Sequence, residues 1–282
     1  MTGAPFSSAL GLTELPRGAY SAELFDAWSV SSPGKQHGGM MLALVTKAGL
    51  SAVDRARSAD DRPLASEPPA SEPLAISANF LRAPDSGPVR LETEVLKLGR
   101  TASVVTVTLS QHDRITISAT VTAGRLPDAH PDWADLPSMP GKPPPGLRPT
   151  SEGPGPVSPL ATACELVLDP ATATFVRGEV SDPVMCAWVR PVGEAPDPLF
   201  ALMAGDVLPS LLCNLDRPGW APTVQLTALV RARPAPGWLR LRSTSMTIAG
   251  GWLDEEMTVI DAAGRLVCQT RQLALAPLQT RL

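Results

Sequence analysis

The sequence predicts an α+β protein made of two tandem copies of one unit, each a helix followed by an antiparallel sheet. Three observations predict it. The length of 282 residues suits two domains of about 130 residues each. A Pro- and Gly-rich stretch, residues 126–159, divides the chain near its middle. Each side of that stretch carries the same order of signals, and the two sides align by eye, with Val121 falling on Gln272 at an offset of 151. The expected organisation is therefore a first repeat over 1–125, a linker over 126–159 and a second repeat over 160–282.

In the first repeat, GGMMLALVTKAGLSAV spaces apolar residues at helical intervals after a Gly-Gly start. An Ala-, Pro-, Ser- and acid-rich segment, 58–73, reads as a long solvated loop. A strand-like run over 74–81 follows, then the alternating segments VRLETEVLKLG, ASVVTVTLS and ITISATVTAG. That is a β-meander with period two, one face buried and the other wet. In the second repeat, 199–215 is a short apolar helix candidate, and four strands follow it with turns in matching places. Proline fixes φ and removes a donor, so the linker is expected to be extended and semi-rigid.

Composition narrows the function classes. The hydrophobic fraction of 44% is enough to bury a sizeable core, and at 4% aromatic that core must be filled by aliphatic side chains and alanine. The net charge of −4 has no block structure, which argues against a nucleic-acid partner. The start lacks a basic segment followed by an apolar run, and no apolar stretch approaches the ~20 residues of a membrane span, so a cytoplasmic protein is expected. Cys164, Cys186, Cys213 and Cys268 show neither CxxC nor metal-ligand spacing and read as buried free thiols.

The order and spacing of several phrases resemble the double-hotdog acyl-CoA thioesterases, over about 24–276. They are His37-Gly38-Gly39, Asn79-Phe80-Leu81-Arg82 with Pro84, and Leu98-Gly99-Arg100 in the first half. In the second they are Asp206 in MAGDVLPS, Pro222 through Thr227, Gly237-Trp238-Leu239, Gly264 through Val267 and Arg271-Gln272-Leu273. The resemblance implies a double-hotdog fold, each helix wrapped by its sheet, and a hydrolase for fatty or related acyl-CoA thioesters, with an acyl carrier protein as the other possible thiol. It implies Asp206, Thr223 and Gln272 as the residues that hold and polarise the attacking water. The stretch from Thr223 to Pro234 is one residue longer than the family pattern, which makes Thr227 the alternative threonine. Met40 stands where the family has a Gln after the two glycines. Fused hotdogs often pair further, so a homo-oligomer is implied. No metal or redox cofactor is required, because a thioester is already electrophilic.

His37, Gly38, Gly39 and Met40 are the expected substrate-binding residues, the exposed N–H groups of a helix start being suited to a developing oxyanion. Asp206 at the start of an apolar helix is expected to be partly desolvated and so a better base. The first-half helix, from Gly39 through Val53, has no carboxylate, which predicts one working site rather than two. Plainer readings stand beside these. Asp206 is also a good helix N-cap with Pro209 in the first turn, and Gln272 and both threonines are ordinary strand residues. His37, with Asp26 upstream, reads either as a catalytic base or, more plainly, as a neutral His that orders a loop or contacts ligand, and Arg82, Arg100, Arg231 and Arg233 are either phosphate contacts or exposed strand arginines. Two other functions fit the same frame: a non-catalytic protein that binds acyl-CoA or acyl chains, and an enoyl-CoA hydratase, which would need an Asp and a His poised together. No His follows Asp206 in the chain.

Overall fold

The computed structural model describes residues 6–30, 34–59, 70–152 and 159–276. The elements of the first repeat are α1 (Phe6–Ala9), β1 (Thr13–Leu15), β2 (Ala19–Leu24), α2 (Gly38–Ser58), β3 (Glu72–Phe80), β4 (Gly87–Lys97), β5 (Ala102–Gln111) and β6 (Arg114–Gly124). Those of the second are α3 (Leu160–Ala163), β7 (Cys164–Leu168), β8 (Val184–Pro191), α4 (Pro198–Ala204), β9 (Thr223–Val230), β10 (Leu239–Thr244), β11 (Ile248–Ala249), β12 (Trp252–Ile260) and β13 (Leu266–Leu275). Most of the 58–73 segment read as a loop lies outside the described residues.

One antiparallel sheet runs through both repeats in the order β1-β2-β4-β5-β6-β3-β9-β13-β12-β10-β8-β7, with β11 on β12. The second half of this order mirrors the first strand for strand. The repeats join where β3 pairs with β9, Ser77 lying opposite Thr227. Each repeat therefore supplies half of a continuous sheet, and α2 and α4 pack together against it. Joining the halves edge to edge removes two sheet edges that would otherwise be exposed. This is the double-hotdog arrangement.

The helix α2 is hydrophobic nearly all round its first half, from Gly39 through Thr46, because sheet covers it on one side and α4 on the other. β4, β5 and β6 alternate buried and open positions as the period-two pattern predicts. The outer strands β1, β2, β7 and β8 are not visible as alternation. In β8, Met185 through Val189 are buried on both faces. The linker explains this: Trp188 donates its ring N–H to the Pro140 carbonyl at 2.8 Å, and Arg240 on β10 donates to Met139 at 3.1 Å. The proline-rich segment lies along the outer face of the second half-sheet. The 199–215 helix candidate is broken: α4 stops at Ala204, and a separate 3-10 turn occupies Leu211–Leu215.

Gly49 is the place where α2 touches the sheet most closely. A Cβ there would lie 3.1, 3.2 and 3.3 Å from methyl groups of Val105, Val121 and Val107. The branched valines on fixed strands have little room to yield. Gly49→Ala gains about 1 kcal/mol of helix propensity and loses about 2 kcal/mol to overpacking. Its net effect in urea unfolding is expected to be a destabilisation of about 1 kcal/mol.

Candidate functional site

The site lies where the head of α2, from the first repeat, meets the turn after α4, from the second. Asp206 sits on that turn, held from below by Thr270, whose hydroxyl donates to the Gly205 carbonyl. The approach of the two backbones is close. A Cβ on Gly38 would lie 2.6 Å from Asp206 Oδ2, and one on Gly39 would lie 2.5 Å from the Met203 carbonyl. Only glycines fit at both positions, so Gly38-Gly39 is a packing requirement of the cross-repeat contact.

Asp206 therefore does not start the helix of its own repeat, as expected from sequence; Asp197 caps α4, accepting from Phe200 N at 2.7 Å. Asp206 instead accepts from the backbone N–H of Gly39 at the positive end of α2. The Gln272 amide also hydrogen-bonds to it, and both contacts favour the ionised form. Burial opposes them and wins, pushing the Asp206 carboxyl up to about 7.

His37 caps α2. Its Nδ1 accepts from Met40 N at 3.3 Å and its Nε2 lies 2.9 Å from the Asp206 carbonyl oxygen, so Nε2 carries the hydrogen and donates. Burial lowers its pKa to about 4, leaving it neutral. Both ring nitrogens are engaged, and Asp26 bonds Ser29 and Ser86 rather than His37. His37 ties the Asp206 turn to the first repeat and is the loop-ordering residue of the plainer reading.

A β-bulge separates the surroundings of the two candidate threonines. The β13–β9 register shifts between Leu273 and Ala274, so that Ala274 faces Thr223 and Val224 is the extra residue. Thr223 is thereby turned to donate to Gln272 Oε1 at 2.6 Å. Thr227 lies at the centre of the β3–β9 seam, opposite Arg271 on the outer face, and bonds Gln225 and Ser77.

Glu255 was not anticipated. It stands on β12 directly opposite Gln272 and is nine-tenths buried. Its Oε2 accepts from Gln272 Nε2 at 2.9 Å, and its Oε1 accepts from Leu211 N at 2.8 Å and from the Ser210 hydroxyl at 3.2 Å. Burial, reinforced by the Asp206 charge, raises its pKa to about 7 despite three donors. A signal for it existed: Leu253, Glu255, Met257 and Val259 share one face of β12, and the other three are core.

The equivalent place in the first repeat holds no acid and no amide. By the paired registers, Pro73 stands for Thr223, Val105 for Glu255 and Val121 for Gln272, and Gly49 packs on the two valines. The polar cluster of the second repeat opens on a cavity of about 790 Å³ lined by both repeats. His37, Gly38, Asp206, Thr223, Glu255 and Gln272 form its polar end, and Met41, Phe80, Leu160, Leu166 and Leu208 are among its apolar walls.

Of the expected substrate-binding residues, His37 and Gly38 line the cavity, whereas Gly39 and Met40 do not. The Gly39 N–H goes to Asp206 and the Met40 N–H to His37, so neither is directed at a ligand; the Met40 side chain is in the core. Of the four arginines considered, Arg82 reaches the cavity, while Arg233 pairs with Glu72 and Asp128. Cys164 also lines it, but burial pushes its thiol up to about 12, which removes it as a nucleophile at neutral pH.

Fold and site together define a double-hotdog protein with one acid-bearing pocket at the junction of its repeats. The chain belongs to the acyl-CoA thioesterase family: residues 26–124 match the acyl-CoA thioesterase N-terminal domain and residues 127–276 the C-terminal domain. Functionally uncharacterised proteins of Mycobacterium tuberculosis and Mycobacterium bovis are 38% identical to it over 280 residues, covering 92% of this chain and 91% of theirs. Among solved structures, a protein described as a candidate thioesterase II from Thermobifida fusca superposes with a TM-score of 0.81 at 32% identity, covering 97% of each chain. A hot dog fold protein of unknown function from Alicyclobacillus acidocaldarius gives a TM-score of 0.77 at 21% identity and 98% coverage of both, which supports the fold alone.

The raised pKa of Asp206 has a consequence for stability. In the folded protein it lies at about 7, above its ordinary value of 3.8, so folding retains a proton that the unfolded chain releases. Its contribution is most favourable below about pH 4 and is lost as the pH rises through 7. Asp206→Asn is therefore expected to unfold at higher denaturant than wild type at pH 8, by on the order of 1–2 kcal/mol after allowing for its partial exposure. The difference should shrink steadily toward pH 4.

Proposed function

We propose that this protein hydrolyses acyl-CoA thioesters at the single site built around Asp206. The observation that carries this reading is the placement of one carboxyl, tuned to about 7, beside the Thr223–Gln272 pair at the polar end of a largely apolar cavity. A general base works best with its pKa near the operating pH. Membership of the thioesterase family supports the same reaction.

The hydrogen bonds order the reactants. Gln272 Oε1 takes the Thr223 hydroxyl hydrogen, which leaves the lone pairs of Thr223 Oγ1 facing outward as an acceptor. A water in the cavity gives one hydrogen to Thr223 and the other to Asp206, and keeps a lone pair for attack on the thioester carbonyl. Asp206 takes the proton as the new C–O bond forms. The tetrahedral intermediate collapses with cleavage of the C–S bond, and the thiolate leaves as the sulfur product while the acyl group leaves as a carboxylic acid. The Asp206 proton then passes to the thiolate or to solvent. Gly38, at the first position of α2 and on the cavity wall, supplies the N–H suited to the oxyanion, since the first N–H groups of a helix have no partner within it.

The hydratase alternative needs a His beside the acid with a free nitrogen. His37 is the neighbour, and both of its nitrogens are committed, neither to the Asp206 carboxylate. The binding alternative shares the same cavity and differs only in turnover. A cytoplasmic setting, where acyl-CoA is available and free thiols persist, suits the reading.

Turnover of an acetyl- to palmitoyl-CoA series, followed by release of free thiol, tests the proposal. Wild type is expected to be active, with kcat/KM rising as the pH passes through about 7. Asp206→Asn is expected to lose about a thousandfold or more and Thr223→Ala about tenfold to a hundredfold. Thr227→Ala, on the outer face, should stay within about twofold. Saturable acyl-CoA binding without turnover would move the assignment to a binding protein.

A further inference from the structure

Two carboxyls meet one amide at the floor of the cavity, and the reaction above uses only one of them. We propose that Glu255 is a positioning residue of this site, holding the Gln272 amide with its nitrogen toward Asp206 and its oxygen toward Thr223, and that its negative charge makes Asp206 a stronger base. The effect on rate rests on the hydrolytic reading; the carboxyl pair itself does not.

The geometry carries the first half of the argument. An ionised carboxylate only accepts hydrogen bonds, so Glu255 Oε2 obliges Gln272 to present its nitrogen. The oxygen of the same amide then has to face Thr223. Thr223 cannot choose the orientation, because a hydroxyl both donates and accepts. Asp206 chooses it only while ionised and stops doing so once it has taken a proton from water. Once Asp206 is protonated its charge no longer raises the proton affinity of Glu255, so Glu255 is the partner that stays ionised and keeps its demand at that stage. It is itself held in place at Oε1 by Leu211 N and Ser210.

The charges around the pair carry the second half. Glu255 is faced by Asp206 and by Cys213 from the turn after α4, and the Glu255 charge helps to raise the Cys213 thiol. His37, neutral, lies behind Asp206, and the other contacts, Gln272, Ser210 and Thr223, are uncharged. Asp254 and Glu256 alternate to the opposite face of β12, where Asp254 pairs with Arg271. At the cavity rim Lys35 is paired with Asp85, and Arg82 bonds the Ile115 carbonyl. Among the described residues, no lysine or arginine pairs with either carboxyl. Two like charges with no cation between them raise each other's proton affinity, and protonation of Asp206 relieves the repulsion.

The test has a kinetic arm and one that needs no substrate. In the first, Glu255→Gln is expected to lower kcat about tenfold to a hundredfold with KM within about threefold. It should also move the acidic limb of kcat/KM to lower pH, which a merely loosened pocket would not do. In the second, the side-chain carboxyls of the free protein are titrated by 13C NMR, with signals assigned from the two substitutions. The Asp206 midpoint should fall by about half a pH unit or more in Glu255→Gln, and the Glu255 midpoint should fall likewise in Asp206→Asn. Unmoved midpoints, or wild-type kcat with an unmoved limb, would overturn the proposal. Should the wild type hydrolyse no thioester, the titration decides alone: shifted midpoints uphold the pair while the hydrolytic reading falls. Should Glu255→Gln not fold, the Glu255 midpoint in Asp206→Asn decides.

Discussion

Everything at the site depends on the contact between the head of α2 and the Asp206 turn. The helix belongs to one repeat and the acid to the other, and only the absence of two Cβ atoms, at Gly38 and Gly39, lets them meet. The contact serves two purposes. It aims the positive end of a 21-residue helix at a carboxylate, and it takes much of that carboxylate out of contact with water while one side still faces the cavity. These effects oppose each other. A hydrogen bond to a charged group is worth about 1.5–3 kcal/mol, and Asp206 receives such bonds from Gly39 and Gln272. Taking a carboxylate out of water costs several kcal/mol, so the balance tips toward the protonated form without reaching a permanently neutral acid. The outcome is a group that titrates at about 7.

The same balance explains why the site needs the second repeat's sheet as much as the helix contact. Thr223, Gln272 and Glu255 come from three neighbouring strands, β9, β13 and β12, whose ladder fixes their separations. Gln272 lies between its two partners on that ladder, and its amide joins the hydroxyl to both acids. A fully connected polar cluster of this kind is stable only because each member has a partner. In the first repeat the corresponding strands carry Pro73, Val121 and Val105, and the space is closed by α2 at Gly49. The chain has kept one polar junction and filled its twin with aliphatic side chains.

Much of this was legible in the sequence, and the parts that were not have physical causes. The meanders were legible because β4, β5, β6 and their counterparts have one dry and one wet face, and the duplication because matching turns recur. β8 escaped because the linker covers its outer face and erases the alternation. The helix over 199–215 was overextended because Val207, Leu208, Leu211 and Leu212 continue the apolar run of α4 across the turn that follows it. Asp206 and Gln272 were found by resemblance, and the structure brings them together. The capping role first given to Asp206 belongs to Asp197, one helix earlier. What sets the surroundings of Thr223 apart from those of Thr227 is the bulge at Val224, a one-residue feature that periodicity treats as noise. Glu255 was hidden in the acidic run Asp254-Glu255-Glu256, which reads as surface unless each residue is assigned to its face.

The twin junction also bears on why the two hotdog units are fused in one chain. A symmetric pair of identical units would place the same residues at both junctions, since the pairing of β3 with β9 is centred on Ser77 and Thr227 and repeats the same registers on either side. Identity would then force every acid to appear twice. Two buried carboxyl pairs would double the desolvation cost in a protein whose total stability is about 5–15 kcal/mol. Fusion frees each repeat to carry one part of the task. The first supplies the long helix, whose head meets the acid and whose body packs on valines. The second supplies the acids, the amide and the hydroxyl, together with a shortened helix that ends early enough to leave the Asp206 turn facing the cavity. The short α4 is thus a condition of the site: one further helical turn would carry the chain through the space in which Asp206 meets Gly39.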